Sequence, residues 1–130
     1  GARLGFLIEN NIFSREFRAL LGDWPIGADA LALGLGAYAD EAWRAATRSW
    51  LTMQAAEVDA ALAEVGFTTL GGCDLFRWAE VPDAHAVFTR LCDQGVLTRP
   101  FADQPDRLRV GLPSRNEFSR FQKALKVVRA

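Results

Sequence analysis

Apolar residues recur at helical spacing through the middle of the chain. Between residues 40 and 65 their spacing places them along one helical face, and Gly66 follows them. The members of this stripe are Trp43, Trp50, Leu51, Val58, Leu62 and Val65. The spacing predicts one long amphipathic helix that ends at the glycine. Shorter helices are predicted before it, over residues 14–21 and 28–38.

Two other stretches have the alternating pattern of strands. Residues 3–8 place Arg3 and Gly5 on one side and apolar side chains on the other, which predicts a strand. Residues 67–79 are predicted to be extended, with a bend at the glycine pair 71–72, where backbone can approach another group closely.

Helix signals return in the second half of the chain. Asp83 is the predicted N-cap of a helix that ends before Gly95. The residues from Ser114 to Glu117 fit a capping box, and the helix that follows has apolar residues at helical spacing. This order of elements predicts an α+β fold, with a small antiparallel or mixed sheet covered by helices on one side.

The hairpin between these two helices carries the most informative pair of side chains. Two strands, residues 96–101 and 107–112, are predicted around a turn at residues 102–106. A turn symmetric about Gln104 places Arg99 directly opposite Arg109, on the face away from the core. Like charges in this position repel, so an anion beside them would stabilise the pair. Two solvated surface arginines, or a register slipped by one residue, remain the alternative.

Composition narrows the classes of function. The 130 residues suffice for one domain, and the formal net charge of -1 gives no positive field for nucleic acid. Cys73 and Cys92 form no CxxC pair, so we expect two buried thiols rather than a disulfide framework or a zinc site. The sole histidine, His85, is expected to be exposed, with no catalytic triad around it. We find neither an apolar run of about 18 residues nor a signal peptide, and expect a cytoplasmic protein without a membrane partner.

Several segments together resemble a known enzyme family. They are Arg-Leu-Gly-Phe at residues 3–6, Asp-Trp-Pro at 23–25, Gly-Gly-Cys-Asp-Leu-Phe-Arg at 71–77, Thr-Arg-Pro-Phe at 98–101 and Leu-Arg-Val-Gly-Leu-Pro at 108–113. Their order is similar to that in fold-type I enzymes dependent on pyridoxal 5'-phosphate. The resemblance is greatest to the L-threonine-O-3-phosphate decarboxylases of cobalamin biosynthesis, with the histidinol-phosphate aminotransferases as near relatives.

The resemblance implies roles for three arginines. Arg3 would contact the cofactor phosphate, Arg109 the α-carboxylate of the substrate, and Arg99 the substrate phosphate. The lysine that forms the Schiff base in this family has no counterpart, because Lys123 and Lys126 lie on the last predicted helix, where solvated charge is expected.

The chain is therefore expected to be a fragment. Residues 1–9 would be a strand left from a missing large domain, and residues 10–130 the C-terminal small domain of the aspartate aminotransferase-like fold. Pyridoxal phosphate is expected in the full-length parent, a homodimer, and not on this fragment, which is predicted to be inactive and to self-associate.

Two other functions are kept as alternatives. The first is a fragment of a histidinol-phosphate-type aminotransferase, and the second is a stand-alone α+β interaction module without a catalytic parent.

Overall fold

The computed structural model describes residues 4–8 and 13–128, and these form an α+β structure. The helices are α1 Ser14–Leu21, α2 Ala28–Ala39, α3 Glu41–Glu64, α4 Ala84–Asp93 and α5 Phe118–Val128. The strands are β1 Thr68–Cys73, β2 Phe76–Glu80, β3 Arg99–Phe101 and β4 Gln104–Gly111. The predicted fold class is thus confirmed at this level. The chain divides into two compact units, Gly1–Ala45 and Ala46–Ala130.

The sheet belongs to the second unit and is antiparallel throughout. Its strand order is β1-β2-β4-β3, so two hairpins lie side by side. Ala79, Leu108 and Val110 point to the core face and are at most 1% exposed. They pack with buried residues of α3, α4 and α5, among them Leu62, Leu91 and Leu125. Helices therefore cover one face of the sheet, as predicted.

Most helix ends lie where the sequence predicts them. The side chain of Asp83 accepts hydrogen bonds from the backbone N–H groups of His85 and Ala86, at 3.0 and 2.9 Å, and so caps α4. Gly66 lies two residues after the end of α3. Its φ of 84° is a backbone conformation that other residues adopt at a cost in free energy. The helix α5 begins at Phe118, one residue after the predicted capping box. The Ser114 hydroxyl donates to the Glu117 carboxylate at 2.9 Å, within the turn that precedes the helix.

The chain does not turn at the glycine pair, but the pairing of β1 with β2 is irregular there, between Thr69 and Gly71. Gly71 and Gly72 lie inside β1, and the turn to β2 falls at residues 74–75. A Cβ added at Gly72, where φ is 131°, would collide with the carbonyl oxygen of Phe76. The close approach that this glycine permits is therefore to the neighbouring strand of the same hairpin.

Two other expectations need correction. Cys73 is exposed and Cys92 half-buried, so the thiols are not buried as predicted, because β1 lies at the edge of the sheet and leaves its last residue open to solvent. Residues 4–8 form neither helix nor strand, and the remainder of the predicted strand over residues 3–8 lies outside the described residues. The division into a remnant 1–9 and a domain 10–130 stays a prediction.

The first unit has little interior of its own. Among its described residues only Ala30 is buried, whereas Ile8 is 96% exposed. A pocket of about 510 Å³ is lined by Leu4, Phe6, Ile26, Leu31, Gly34, Leu35 and Tyr38. Its wall is almost wholly apolar. Within the described parts of the chain, no helix combines the length and the apolar character that a membrane crossing requires.

Candidate functional site

The β3–β4 hairpin brings together the two arginines that the sequence singles out. Arg99 pairs with Arg109 and Pro100 with Leu108, which is the predicted register. The predicted turn is too long, because β4 already begins at Gln104 and only residues 102–103 connect the strands. The register then shifts between Pro100 and Phe101, and this irregularity accommodates the extra residues of β4.

Both arginines lie on the open face of the sheet. Arg109 is exposed between Leu108 and Val110, which are buried, so the alternation predicted for this strand is confirmed. Arg99 is also exposed. The hairpin therefore presents two guanidinium groups from directly opposite positions on one face.

Neighbouring arginines of the sheet have acidic partners, whereas Arg99 and Arg109 have none in the part of the chain that the structure describes. Arg77 forms a two-pronged pair with Asp59, with both N–O distances at 2.7 Å. Arg107 pairs with Glu80 at 2.8 Å and with Asp106 at 2.7 Å. Among the described residues, no carboxylate lies within ion-pairing distance of Arg99 or Arg109. The pair is thus a local excess of positive charge in a chain of net charge -1.

Aromatic rings surround the pair, and the sequence analysis missed them. The Cζ atom of Arg109 lies 5.6 Å from the ring centroid of Phe76, and that of Arg99 lies 5.4 Å from the ring centroid of Phe101. Trp78 pairs with Arg109 across β2 and β4, and its ring meets that of Phe101 edge to face at 4.9 Å. The signal was present, since Phe76 and Trp78, like Arg99 and Phe101, are two residues apart and so share a face of their strand.

A shallow groove of about 360 Å³ runs beside the arginines. It is lined by Leu75, Phe76, Leu97, Thr98, Arg99, Arg109 and Gly111. The Thr98 hydroxyl is buried and has no hydrogen-bond partner in the described structure. With two cations and no acid among its lining residues, the groove is suited to a small organic anion.

The other predicted residues lie elsewhere. Arg3 is outside the described residues. His85 is exposed at the start of α4, where its ring stacks on Phe88 with the centroids 6.2 Å apart. Lys123 and Lys126 are exposed on α5, and the buried side of this helix packs against the opposite face of the sheet.

Two known proteins have sequences similar to that of this chain. No family model matches the chain. Over 112 residues, or 86% of its length, the chain is 34% identical to a threonine-phosphate decarboxylase from Sinorhizobium sp. Over 114 residues, or 88% of its length, it is 30% identical to a threonine-phosphate decarboxylase from Pseudomonas aeruginosa. The chain is related to the threonine-phosphate decarboxylases.

The relationship covers part of these decarboxylases only. The chain spans about a third of their length, namely 33% of the Sinorhizobium protein and 34% of the Pseudomonas protein. The predicted resemblance to threonine-phosphate decarboxylases is confirmed, and the link to histidinol-phosphate aminotransferases stays a prediction.

The groove does not by itself fit pyridoxal phosphate as a resident cofactor. Enzymes hold this cofactor through a lysine Schiff base. The chain has two lysines, Lys123 and Lys126, and neither lines the groove. What the groove residues offer is the recognition of an anion by Arg99 and Arg109.

Proposed function

We propose that this chain is the substrate-recognition part of a pyridoxal-phosphate-dependent enzyme similar to the threonine-phosphate decarboxylases of cobalamin biosynthesis. The observation that carries the proposal is the pair Arg99 and Arg109, which face each other without an acidic partner among the described residues. Threonine phosphate has two anionic groups, a carboxylate and a phosphate, so it could neutralise both guanidiniums at once.

Each arginine is assigned one end of this substrate. The resemblance to the decarboxylases assigns the α-carboxylate to Arg109 and the phosphate to Arg99, and a planar guanidinium matches the oxygen pairs of either group. With both ends fixed, the substrate cannot rotate freely, and orientation of this kind can contribute several kcal/mol to the rate.

Decarboxylation requires a group that delocalises an electron pair, and the groove residues do not provide one. Decarboxylation breaks the bond between Cα and the carboxylate carbon, releases CO2 and leaves the electron pair on Cα. No side chain of the groove can delocalise that pair. We therefore assign Arg99 and Arg109 to binding and orientation, and expect the 130-residue chain alone to release no CO2.

The rest of the architecture belongs to the same proposal. The described α+β unit would be the C-terminal small domain of the aspartate aminotransferase-like fold, and Arg3 would contact the cofactor phosphate in a full-length homodimer. Support for this part comes from the sequence relationship alone.

The proposal is tested by titrating the chain with O-phospho-L-threonine and following the Nε–Hε signals of its arginines by NMR. We expect the signals of Arg99 and Arg109 to shift. Replacing either residue, as Arg99→Gln or Arg109→Gln, should weaken binding by roughly tenfold, since a hydrogen-bonded charge is lost. Arg48→Gln, an exposed site on α3, is the matched control and should leave the affinity unchanged.

Partial ligands separate the two roles. L-threonine has only the carboxylate, and 1-aminopropan-2-yl phosphate has only the phosphate. Arg109→Gln should weaken the first more, and Arg99→Gln the second. If phosphothreonine moves neither signal, or if Arg48→Gln weakens binding as much as the groove variants, the proposal is wrong.

The reaction type is tested on a full-length protein that contains this sequence. We expect CO2 release from O-phospho-L-threonine without any requirement for 2-oxoglutarate. Amino transfer that depends on 2-oxoglutarate, without CO2 release, would instead establish the aminotransferase alternative.

A further inference from the structure

Two aromatic rings on the open face reach across a strand to meet each other. Both β2 and β3 pair with β4, one on each side, so they are roughly 9 to 10 Å apart. The ring centroids of Trp78, on β2, and Phe101, on β3, are nevertheless only 4.9 Å apart. The two side chains must therefore meet above β4. We call this pair the aromatic bridge.

The arginines lean in opposite directions beside the bridge. Because β2 and β3 are both antiparallel to β4, they run in the same direction. Phe76, which lies against Arg109, precedes Trp78 along β2, whereas Phe101, which lies against Arg99, follows Arg99 along β3. The Arg109 guanidinium is therefore drawn towards the start of β2, and the Arg99 guanidinium towards the end of β3.

The contacts with the rings oppose a conformation that the register of the hairpin would otherwise allow. Two arginines at opposite positions could turn towards each other and grip one anion together. Each guanidinium instead has a ring to lie against, and an arginine over an aromatic face is held there by attraction to the π electrons. The rings favour separated guanidiniums over converged ones.

We propose that Phe76 and the aromatic bridge of Trp78 and Phe101 are positioning residues that keep Arg99 and Arg109 apart. The groove then selects a ligand with two separated anionic groups over a ligand with one. The inference rests on the proposed function and adds to it the residues that determine specificity. It predicts that the rings influence the choice between ligands more than they influence binding of a single anion.

The test compares two ligands that differ by one carboxylate, O-phospho-L-threonine and 1-aminopropan-2-yl phosphate. The variants are Phe76→Leu, Trp78→Leu and Phe101→Leu, and the measured quantity is the ratio of the two dissociation constants. We expect the preference for phosphothreonine to fall by roughly threefold in Phe76→Leu and in Phe101→Leu, which is the scale of one cation–π contact. Trp78→Leu should have a smaller effect, because Trp78 contacts Phe101 and acts on Arg99 only through that ring. Binding of the phosphate that lacks the carboxylate should stay within the error of the wild-type value.

Phe88→Leu is the matched control, because Phe88 is a half-buried ring that packs against the core and stacks on His85, away from the two arginines. This variant should retain the wild-type preference. A second readout is the Arg109 Nε–Hε signal, which should lose its ring-current shift in Phe76→Leu and keep it in Phe88→Leu. Circular dichroism identifies any variant that does not fold, and Phe101→Leu tests the bridge if Trp78→Leu is unfolded.

The outcomes separate this inference from the function on which it rests. If wild-type chain does not bind phosphothreonine through the arginines, the proposed function fails. If wild-type chain binds it and the folded ring variants keep the same ratio, the positioning role is wrong while the proposed function stands. An equal loss of preference in Phe88→Leu would also overturn the positioning role.

Discussion

A guanidinium that lies on a phenyl ring keeps its hydrogen-bond donors available. The ring interacts with the flat face of the group, whereas its five N–H donors point outward in the plane. The Cζ atom of Arg109 lies 5.6 Å from the ring centroid of Phe76, and that of Arg99 lies 5.4 Å from the ring centroid of Phe101. Their contacts with the rings therefore hold the side chains without using the donors that an anion needs.

Replacement by alanine should have opposite effects at two glycines of the chain, Gly72 and Gly36. We expect Gly72→Ala to lower the free energy of unfolding by roughly 2 kcal/mol or more, because φ is 131° and the new Cβ would collide with the Phe76 carbonyl. Gly36→Ala is the opposite case. It lies inside α2 with open space around it, and alanine should stabilise the helix by about 0.5 to 1 kcal/mol.

Urea denaturation followed by circular dichroism measures both glycine effects. A midpoint for Gly72→Ala equal to that of the wild type would show that β1 can move away from β2 without cost.

At the scale of elements, α3 is tied to the sheet by one ion pair with a third partner. Asp59 on α3 accepts from Arg77 through both carboxylate oxygens and from the Thr69 hydroxyl at 2.8 Å. The Arg77 side chain is 17% exposed and that of Asp59 34%, so water screens the pair only in part. One carboxylate thus joins β1, β2 and α3.

We expect Asp59→Asn to destabilise the second unit by about 1 to 3 kcal/mol, since it leaves a largely buried guanidinium without its charge partner. Glu41→Gln is the control of equal chemistry. Glu41 is 86% exposed and lies 3.4 Å from Arg44, and its loss should cost a few tenths of a kcal/mol. Thermal unfolding compares the two, and equal shifts would mean that Asp59 contributes no more than a surface charge.

Helices were easier to predict from the sequence than the connections of the sheet. The long helix α3 and the cap at Asp83 depend on local signals, and both predictions are confirmed. The apolar stripe of α3 is confirmed only in part, since Val58 and Leu62 are buried but Trp43 is 61% exposed. The turn at residues 74–75 and the irregularity after Pro100 depend on how strands pair, which residue spacing does not encode. A glycine pair therefore indicated a bend where the structure has an irregular strand.

The candidate site divides in the same way. Alternation and a nearly symmetric hairpin suffice to place Arg99 opposite Arg109. The rings of Phe76 and Trp78 join them only because β2 lies beside β4 in the order β1-β2-β4-β3, and this neighbour is separated from β4 by a whole helix in the sequence. The strand order therefore brings Phe76 and Trp78 to the site, and residue spacing alone does not predict it.

At the scale of the whole molecule, apolar surface is concentrated in the first unit. Its large exposed side chains include Phe6, Ile8, Trp24, Leu33 and Leu35, which are 63 to 96% exposed. Apolar surface of this extent indicates a contact with another protein surface. Self-association, expected from the sequence, stays a prediction.

We expect the chain to form concentration-dependent oligomers that Leu31→Glu with Leu35→Glu reduces, because both residues line the apolar pocket of the first unit. The control, Val127→Glu, introduces a carboxylate at a half-exposed apolar site on α5 of the second unit. Sedimentation velocity over a hundredfold range of concentration distinguishes the variants. A wild-type chain that stays monomeric throughout would contradict the prediction.

The two outer strands of the sheet are poor templates for further pairing. The strand β3 has three residues, and its central residue, Pro100, has no N–H to donate. On the other side, the register of β1 is interrupted between Thr69 and Gly71. Short, interrupted edges discourage the addition of a strand from a second molecule. Growth into fibrils by continuous hydrogen bonding between strands is therefore disfavoured, even if copies of the chain associate through the first unit.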